Sequence, residues 1–422
     1  MQQPVNVFSM PGLSVSAIRA DDGKIELTAG GILKFAARPF LSIANKHLEA
    51  EKPALVTESA VYPSAWLPPI PSPAFNRLVK DEVGIGFGKY VPETVSIEVT
   101  RKFNANAERY AKQYSKTFHP SGSGNNVSDN LVSGNSNSDN IDFENPYNSI
   151  DPPADLIYKA IDEALEMGAV VITFTEGDPL LNENIVDYVR YVDKSKAVVM
   201  AYTWGLDFDL EKAKQLKEAG LQTLLVSIYS TDPGVHDLKR GIPGAYDKAV
   251  AAIQFGLEAG LLVTMATHLD GAKVGEMEGL WKLASELGVH EFSIWESVPT
   301  LEGESRMNDA ERKVINDFYK KVNAVDDGTP RIFSNTIFEG EMFGAMAGRR
   351  WLHVTTEGDM QPDPYIPLSY GNINDTPMKT AWKKMRKEPA LREKRETHVL
   401  YDPIYLQKVR DANDWDFRSP KE

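Results

Sequence analysis

The 422-residue sequence contains no cysteine. That absence excludes disulfides, zinc–thiolate sites, thiolate-ligated iron–sulfur clusters and cysteine nucleophiles. No stretch approaches the roughly 18–20 continuous apolar residues of a membrane span. The opening residues, MQQPVNVFSMPGLSVS, lack a basic stretch followed by an apolar one. No signal peptide is read, and a cytoplasmic protein is expected. Basic residues are in the minority: 46 Lys and Arg stand against 60 Asp and Glu, for a net charge of -14. Without a long basic run, such a chain is a poor general binder of nucleic acid, where phosphate neutralisation dominates affinity. The charge reads as solubility.

With 42% hydrophobic residues, the chain has material for a full core. Its length fits one large α/β barrel with extensions. Residues 1–50 place Ile32, Leu33, Phe35, Ala36, Phe40, Leu41, Ile43 and Leu48 at roughly helical spacing, interrupted by Pro39. This stripe predicts a helix packed on the barrel. The prolines of residues 65–79, AWLPPIPSPAFNRLV, argue against a regular ladder or helix there. That stretch is expected to wrap over the barrel as a strap. Residues 118–150 are rich in Asn, Ser and Gly and poor in apolar residues. They are expected to be a disordered loop. The sequon Asn126-Val127-Ser128 within them is read as chance.

From Val95 onward the pattern repeats. Val95–Thr100 alternates as a strand. Helix-like segments then precede apolar runs at Ala169–Thr175, Ala197–Thr203, Leu221–Tyr229, Leu261–His268 and Glu291–Val298. Glycines close several helices, as at Gly220 and Gly260. Six βα units of this kind mean a parallel barrel or a doubly wound sheet. Beyond residue 326 the character changes. Arg350–Val354 and Asp359–Gln361 flank Thr356-Glu357-Gly358, a hairpin signal. A helix around 377–387 and a charged tail follow.

The stretch Val95–Tyr114 resembles the start of the barrel in the radical S-adenosylmethionine (SAM) superfamily. There a similar strand runs into a loop reading C-N-x-x-C-x-x-C-Y, whose cysteines hold a four-iron cluster. Phe103, Ala107 and Tyr110 stand at the cysteine positions, and Asn104 is kept. Thr175-Glu176-Gly177-Asp178-Pro179 resembles the family's GGEP motif. His236-Asp237, Arg240-Gly241 and Gly244 resemble its H-D-x-x-R-G-x-x-G segment. The C-terminal region resembles a SPASM extension, with Ala345 and Asp363 where auxiliary-cluster cysteines would stand.

The resemblance implies a partial TIM barrel, (β/α)6, over residues 93–325, carrying the insert 118–150. An N-terminal helix and strap would occupy 1–92, and a small α+β extension 326–422. It further implies a SAM pocket at the open end of the barrel. Glu176 and Gly177 would line it, with Asp178 at the SAM ammonium and Arg240 at the carboxylate. Ser227 and Tyr229 would lie nearby, and Tyr202 or Trp204 would stack on adenine. Phe103 and Tyr110 would fill the volume of the missing cluster. His268 and Glu296, at the ends of their strands, are general-base candidates. Each position also has a structural reading: Asp178 as a helix cap, Tyr202 and Trp204 as core, Arg240 as an ion-pair partner. A His/Asp metal site at His353, Asp363 and His398 is disfavoured by their spacing.

The functional expectation is a SAM-binding enzyme without an iron–sulfur cluster. It would carry out closed-shell chemistry, chiefly methyl transfer to a small-molecule substrate. The alternative is a catalytically silent relative acting as the binding or regulatory partner of an active protein.

Overall fold

The computed structural model describes residues 4–19, 24–85, 87–100, 151–298 and 307–412. The insert 118–150, Phe103, Ala107 and Tyr110 lie outside these described residues.

The chain begins with an antiparallel meander, β1 (Val5–Met10), β2 (Leu13–Arg19) and β3 (Ile25–Gly30). The sequence reading had only a helix in this region. The alternation is nonetheless present: Val7, Leu13, Val15, Ala17, Ile25 and Leu27 are buried on one face. The helix Arg38–Ala50 follows, with Pro39 in its first turn, where a missing N–H leaves no bond unmade. Ile32 and Phe35, counted in the predicted stripe, are exposed. A short hairpin, β4 (Leu55–Val56) and β5 (Val61–Tyr62), precedes the strap.

The strap is irregular only as far as Ser72. Pro73–Ile85 is a helix, contrary to expectation. Proline suits a first turn. The Ser72 hydroxyl accepts from the Phe75 N–H at 3.0 Å and closes the N-terminus.

The barrel sheet runs through β6 (Thr94–Glu98), β7 (Val171–Thr175), β8 (Val198–Thr203), β9 (Thr223–Ser227), β10 (Leu262–Leu269), β11 (Glu291–Glu296) and β12 (Arg331–Ser334), each parallel to the next. On the other side of β6 lies β13 (Trp351–Val354), also parallel, and then β14 (Met360–Gln361), antiparallel to β13. The six predicted strands are therefore the middle of a nine-stranded sheet. The hairpin read around Thr356-Glu357-Gly358 exists. Its first strand extends the barrel, because Leu352 and Val354 are apolar enough to be covered by helices on the outer face.

Strand alternation separates two cores. Val95, Ile97, Ile172, Phe174, Leu224, Val226, Val263, Met265, Phe292 and Ile294 face outward into the helix layer. Val171, Met200, Leu225, Leu262, Trp295, Phe333 and Trp351 face the lumen. Trp66 of the strap plugs the lumen from below, 5.1 Å from Trp295 and 5.4 Å from Phe333 between ring centroids. Among the described residues, no helix is long and apolar enough to cross a membrane.

Candidate functional site at the carboxyl ends of the strands

At the end of β7 the chain turns through two consecutive left-handed residues, Glu176 at φ 61° and Gly177 at φ 59°. Glu176 is the one non-glycine with positive φ among the described residues. Such a conformation costs on the order of 1–3 kcal/mol and persists only where its surroundings over-determine it. The turn carries Asp178 across to β8. There the carboxylate is buried and accepts from Thr203 Oγ1 at 3.0 Å, the Trp204 N–H at 2.9 Å and the Leu180 N–H at 3.1 Å. Burial raises the Asp178 pKa, and these bonds together with Arg240 pull against that rise. The cap reading of Asp178 therefore holds. A ligand ammonium would have to compete with donors already in place.

Trp204, held by that bond, forms one wall around Arg240. Arg240 ends the helix Pro233–Arg240 and is 1% exposed. Its guanidinium carbon lies 3.9 Å from the Trp204 ring centroid and 4.3 Å from that of Tyr229. Its Nη2 reaches the Ser227 carbonyl at 3.4 Å. Lys239 Nζ also lies 4.3 Å from the Tyr229 ring. Ser227, Tyr229, Trp204 and Arg240 thus meet at the carboxyl ends of β8 and β9. The neighbouring motif residues build this corner. His236 Nδ1 accepts from the Tyr229 N–H at 3.2 Å, and Asp237 accepts from the N–H groups of Gly244 and Tyr246 at 2.6 and 2.8 Å. Burial, with Arg240 adding, pushes the His236 pKa down to about 3, so it remains a neutral acceptor.

His268 is on the lumen face of β10, with Tyr229 and Tyr365 at 6.3 and 6.4 Å. Burial, then the cations Lys239, Arg240 and Lys273, push its pKa down to about 3. It is a neutral imidazole, weakly basic. Glu296 does not join it. It shares the outward face of β11 with Phe292 and Ile294, and both its oxygens are bound by Arg312, at 2.6–3.1 Å. The structure corrects the expectation of a free base there. Tyr202 points into the lumen and packs toward Trp66, at 6.2 Å, which is its core reading.

In the C-terminal region, Asp363 Oδ2 meets His398 Nε2 at 2.6 Å, and His398 Nδ1 accepts from the Leu400 N–H at 3.2 Å. His353 lies elsewhere, at 2.9 Å from Ser96 Oγ in the lumen. Among the described residues, no group of three or more His, Cys, Asp or Glu side chains could hold a metal ion. Where an auxiliary-cluster ligand was read, an ion pair stands. Sequence reasoning grouped Asp363 and His398 with His353 in a disfavoured metal site, not as an ion pair, and it missed Tyr365, which lies 6.4 Å from His268 and 6.0 Å from His398.

A family model described as the radical SAM superfamily matches residues 135–284. An AdoMet-dependent heme synthase of Oleidesulfovibrio alaskensis is 25% identical over 250 residues, covering 53% of this chain and 64% of that one. The chain thus spans somewhat less than two thirds of that relative. A second protein of the same name, from Methanosarcina barkeri, is 25% identical over 261 residues, covering 56% of this chain and 74% of that one. Among solved structures, Streptococcus suis SuiB superposes with a TM-score of 0.50 at 10% identity, over 73% of this chain and 70% of that one, a likeness of fold. Residues 135–284 thus carry a likeness to the radical SAM superfamily, in a chain that has no cysteine. Its donor set does not fit an iron–sulfur cluster, because such clusters are held by thiolates and the sequence has none.

Proposed function

We propose that the chain binds SAM at the barrel mouth and works without an iron–sulfur cluster. The observation that carries this reading is the corner where Arg240 lies between Trp204 and Tyr229 above Ser227. It combines a fixed cation for a carboxylate with flat apolar faces for a purine or sulfonium. The left-handed Glu176–Gly177 turn next to it brings backbone to the rim, where side chains would otherwise crowd a ligand. Asp178 acts here by holding Trp204 and the turn, rather than as a direct ligand. The names of the relatives, AdoMet-dependent heme synthases, support SAM as the ligand class.

Bound SAM supplies an electrophilic methyl carbon that needs no electron. The reaction open to such a site is methyl transfer to a small nucleophile held beside it. His268 is the remaining candidate to accept the proton. A second reading, a silent binding partner, is favoured by one pair of observations. Glu296 is committed to Arg312, and His268 is a weak base. The two readings part in one experiment: titration with SAM and S-adenosylhomocysteine, followed by a search for methylated product among added small nucleophiles. Binding with turnover supports the enzyme, and binding without turnover supports the silent partner. The absence of binding refutes the enzyme and leaves the silent partner.

A further inference from the structure

At the turn that joins β1 to β2, the N-terminal meander ends in a tip that holds apolar side chains in solvent. Ile32 is 86% exposed, Phe35 57% and Met10 39%. One exposed apolar residue is ordinary, but three gathered on one tip form a patch. The tip is built rather than frayed. The Leu33 N–H donates to the Gly12 carbonyl at 2.8 Å, which ties the segment after β3 to the β1–β2 turn. Gly31 is left-handed at φ 94°, and a Cβ there would lie 2.3 Å from the same carbonyl oxygen. Glycine at this position lets the two turns meet so closely. A Cβ on Gly12 would lie 3.1 Å from the Ile32 side chain, so Ile32 stands beside the hairpin end that carries Met10.

The charges around this tip are of one sign. Residues 4–19 and 29–48 hold Arg19, Lys34, Arg38 and Lys46 and no Asp or Glu, in a chain whose net charge is -14. Lys34 lies between Ile32 and Phe35 and is exposed. Arg38, Ser42 and Lys46 follow at four-residue spacing along the exposed side of the helix Arg38–Ala50. The described acids of the meander and the helix stand at the far ends of those elements. Glu26 pairs opposite Ile18, and Glu49 and Glu51 close the helix. The cleft beside β1, lined by Met10, Phe87, Lys80 and Lys89 among others, continues the pattern. Its one acid among the described residues, Asp81, is drawn by Arg77 and Lys80.

We propose that this tip docks the protein on an anionic lipid surface, with Ile32 and Phe35 entering the boundary between headgroups and acyl chains and with Lys34 and Arg38 against the headgroup anions. A folded protein partner needs roughly 800 Å² of complementary surface from each side. Three side chains on a hairpin tip do not provide it. An interfacial anchor needs only a few apolar groups that enter and cations that stay at the headgroups. The negative charge of the rest of the chain is repelled by an anionic surface, so attachment is oriented through this basic end. The contact is peripheral, since no helix among the described residues is long and apolar enough to cross a membrane.

The test is flotation of the full chain with vesicles of equimolar phosphatidylcholine and phosphatidylserine, and with vesicles of phosphatidylcholine alone. Binding is expected to the first, falling steeply on the second and at high salt, because exposed charges are screened. Lys34→Gln and Arg38→Gln should weaken it roughly fivefold for each cation removed, the scale of one Lys or Arg near an anionic surface. Ile32→Ser combined with Phe35→Ser should weaken it roughly tenfold or more. All four side chains are exposed, so the thermal midpoint should stay where it is. Val314→Ser, an exposed apolar site on the helix Asp309–Asn323, should leave vesicle binding unchanged. Because the chain has no cysteine, Ile32→Cys gives a single attachment point for an environment-sensitive fluorophore. Its emission should shift to the blue on the anionic vesicles, and the same label on Val314→Cys should not shift. No binding to the anionic vesicles overturns the proposal. So does binding that survives either pair of substitutions, or a label at position 32 whose emission does not shift. Self-association of the chain that Ile32→Ser abolishes overturns it too, by making a second copy the occupant.

Discussion

Arg240 lies flat against Trp204, its guanidinium carbon 3.9 Å from the centre of the indole. Tyr229 covers the other side at 4.3 Å. A guanidinium in this setting has both faces fixed by aromatic rings. Lysine would keep the charge and lose the planar stack. Arg240→Lys is therefore expected to weaken SAM binding by ~0.5–2 kcal/mol, the worth of a cation–π contact, in a calorimetric titration. An unchanged affinity would remove Arg240 from the site.

Asp178 is expected to report on folding before it reports on binding. Its removal leaves the Thr203 hydroxyl and the N–H groups of Trp204 and Leu180 without their acceptor. Each buried donor left unmade costs about 1–3 kcal/mol. Asp178→Ala should lower the denaturation midpoint, and the double change with Thr203→Val should cost less than the sum of the two. Strict additivity in that cycle would argue against the coupling.

The Asp363–His398 pair makes a pH prediction. Burial opposes a charge on His398, but Asp363, then Glu339 and Glu296, outweigh it and raise its pKa above 6.5. A histidine so raised binds its proton more tightly when folded. Its stabilisation is complete below about pH 6.5 and is lost as pH rises through the folded value. Glu339 acts in the same direction. Burial pushes it from 4.5 up to about 7, so the folded chain keeps a proton that the unfolded chain gives up across that window. Urea midpoints should fall from about pH 4.5 to 7 through Glu339 and again above about pH 6.5 through His398, and His398→Gln should flatten the fall above pH 6.5. Equal slopes for the two proteins would contradict the assignment.

Much of this was legible in the residues. The apolar runs from Val95 to Glu296 gave the order of six strands because buried parallel strands are continuous apolar stretches. The corner of Ser227, Tyr229 and Arg240 followed from one spaced motif. Other features needed the third dimension. Glu296 ends a strand as His268 nearly does, but pleat parity turns it outward to Arg312 on the helix Asp309–Asn323. Reading that parity from Phe292 and Ile294 would have found it. The N-terminal meander was hidden behind a helical count of apolar residues that included the exposed Ile32 and Phe35. Asp363 and His398 are 35 residues apart, and no local pattern joins them.

Glu296 offers a test of that parity. Glu296→Gln should weaken its grip on Arg312 and lower thermal stability, while SAM affinity remains within about twofold of the unaltered protein, since distant sites act independently. A selective loss of SAM binding at unchanged stability would return Glu296 to the mouth.

The most direct measurement is calorimetric titration of SAM and S-adenosylhomocysteine into protein whose iron and sulfide have been assayed after anaerobic reconstitution. The account predicts saturable binding of both ligands with one site per chain, no stoichiometric iron or sulfide, and no reductive cleavage of SAM when dithionite is added. No binding of either ligand at about 1 mM, the weak end of measurable affinity, would contradict it. Stoichiometric iron and sulfide with reductive cleavage would contradict it equally.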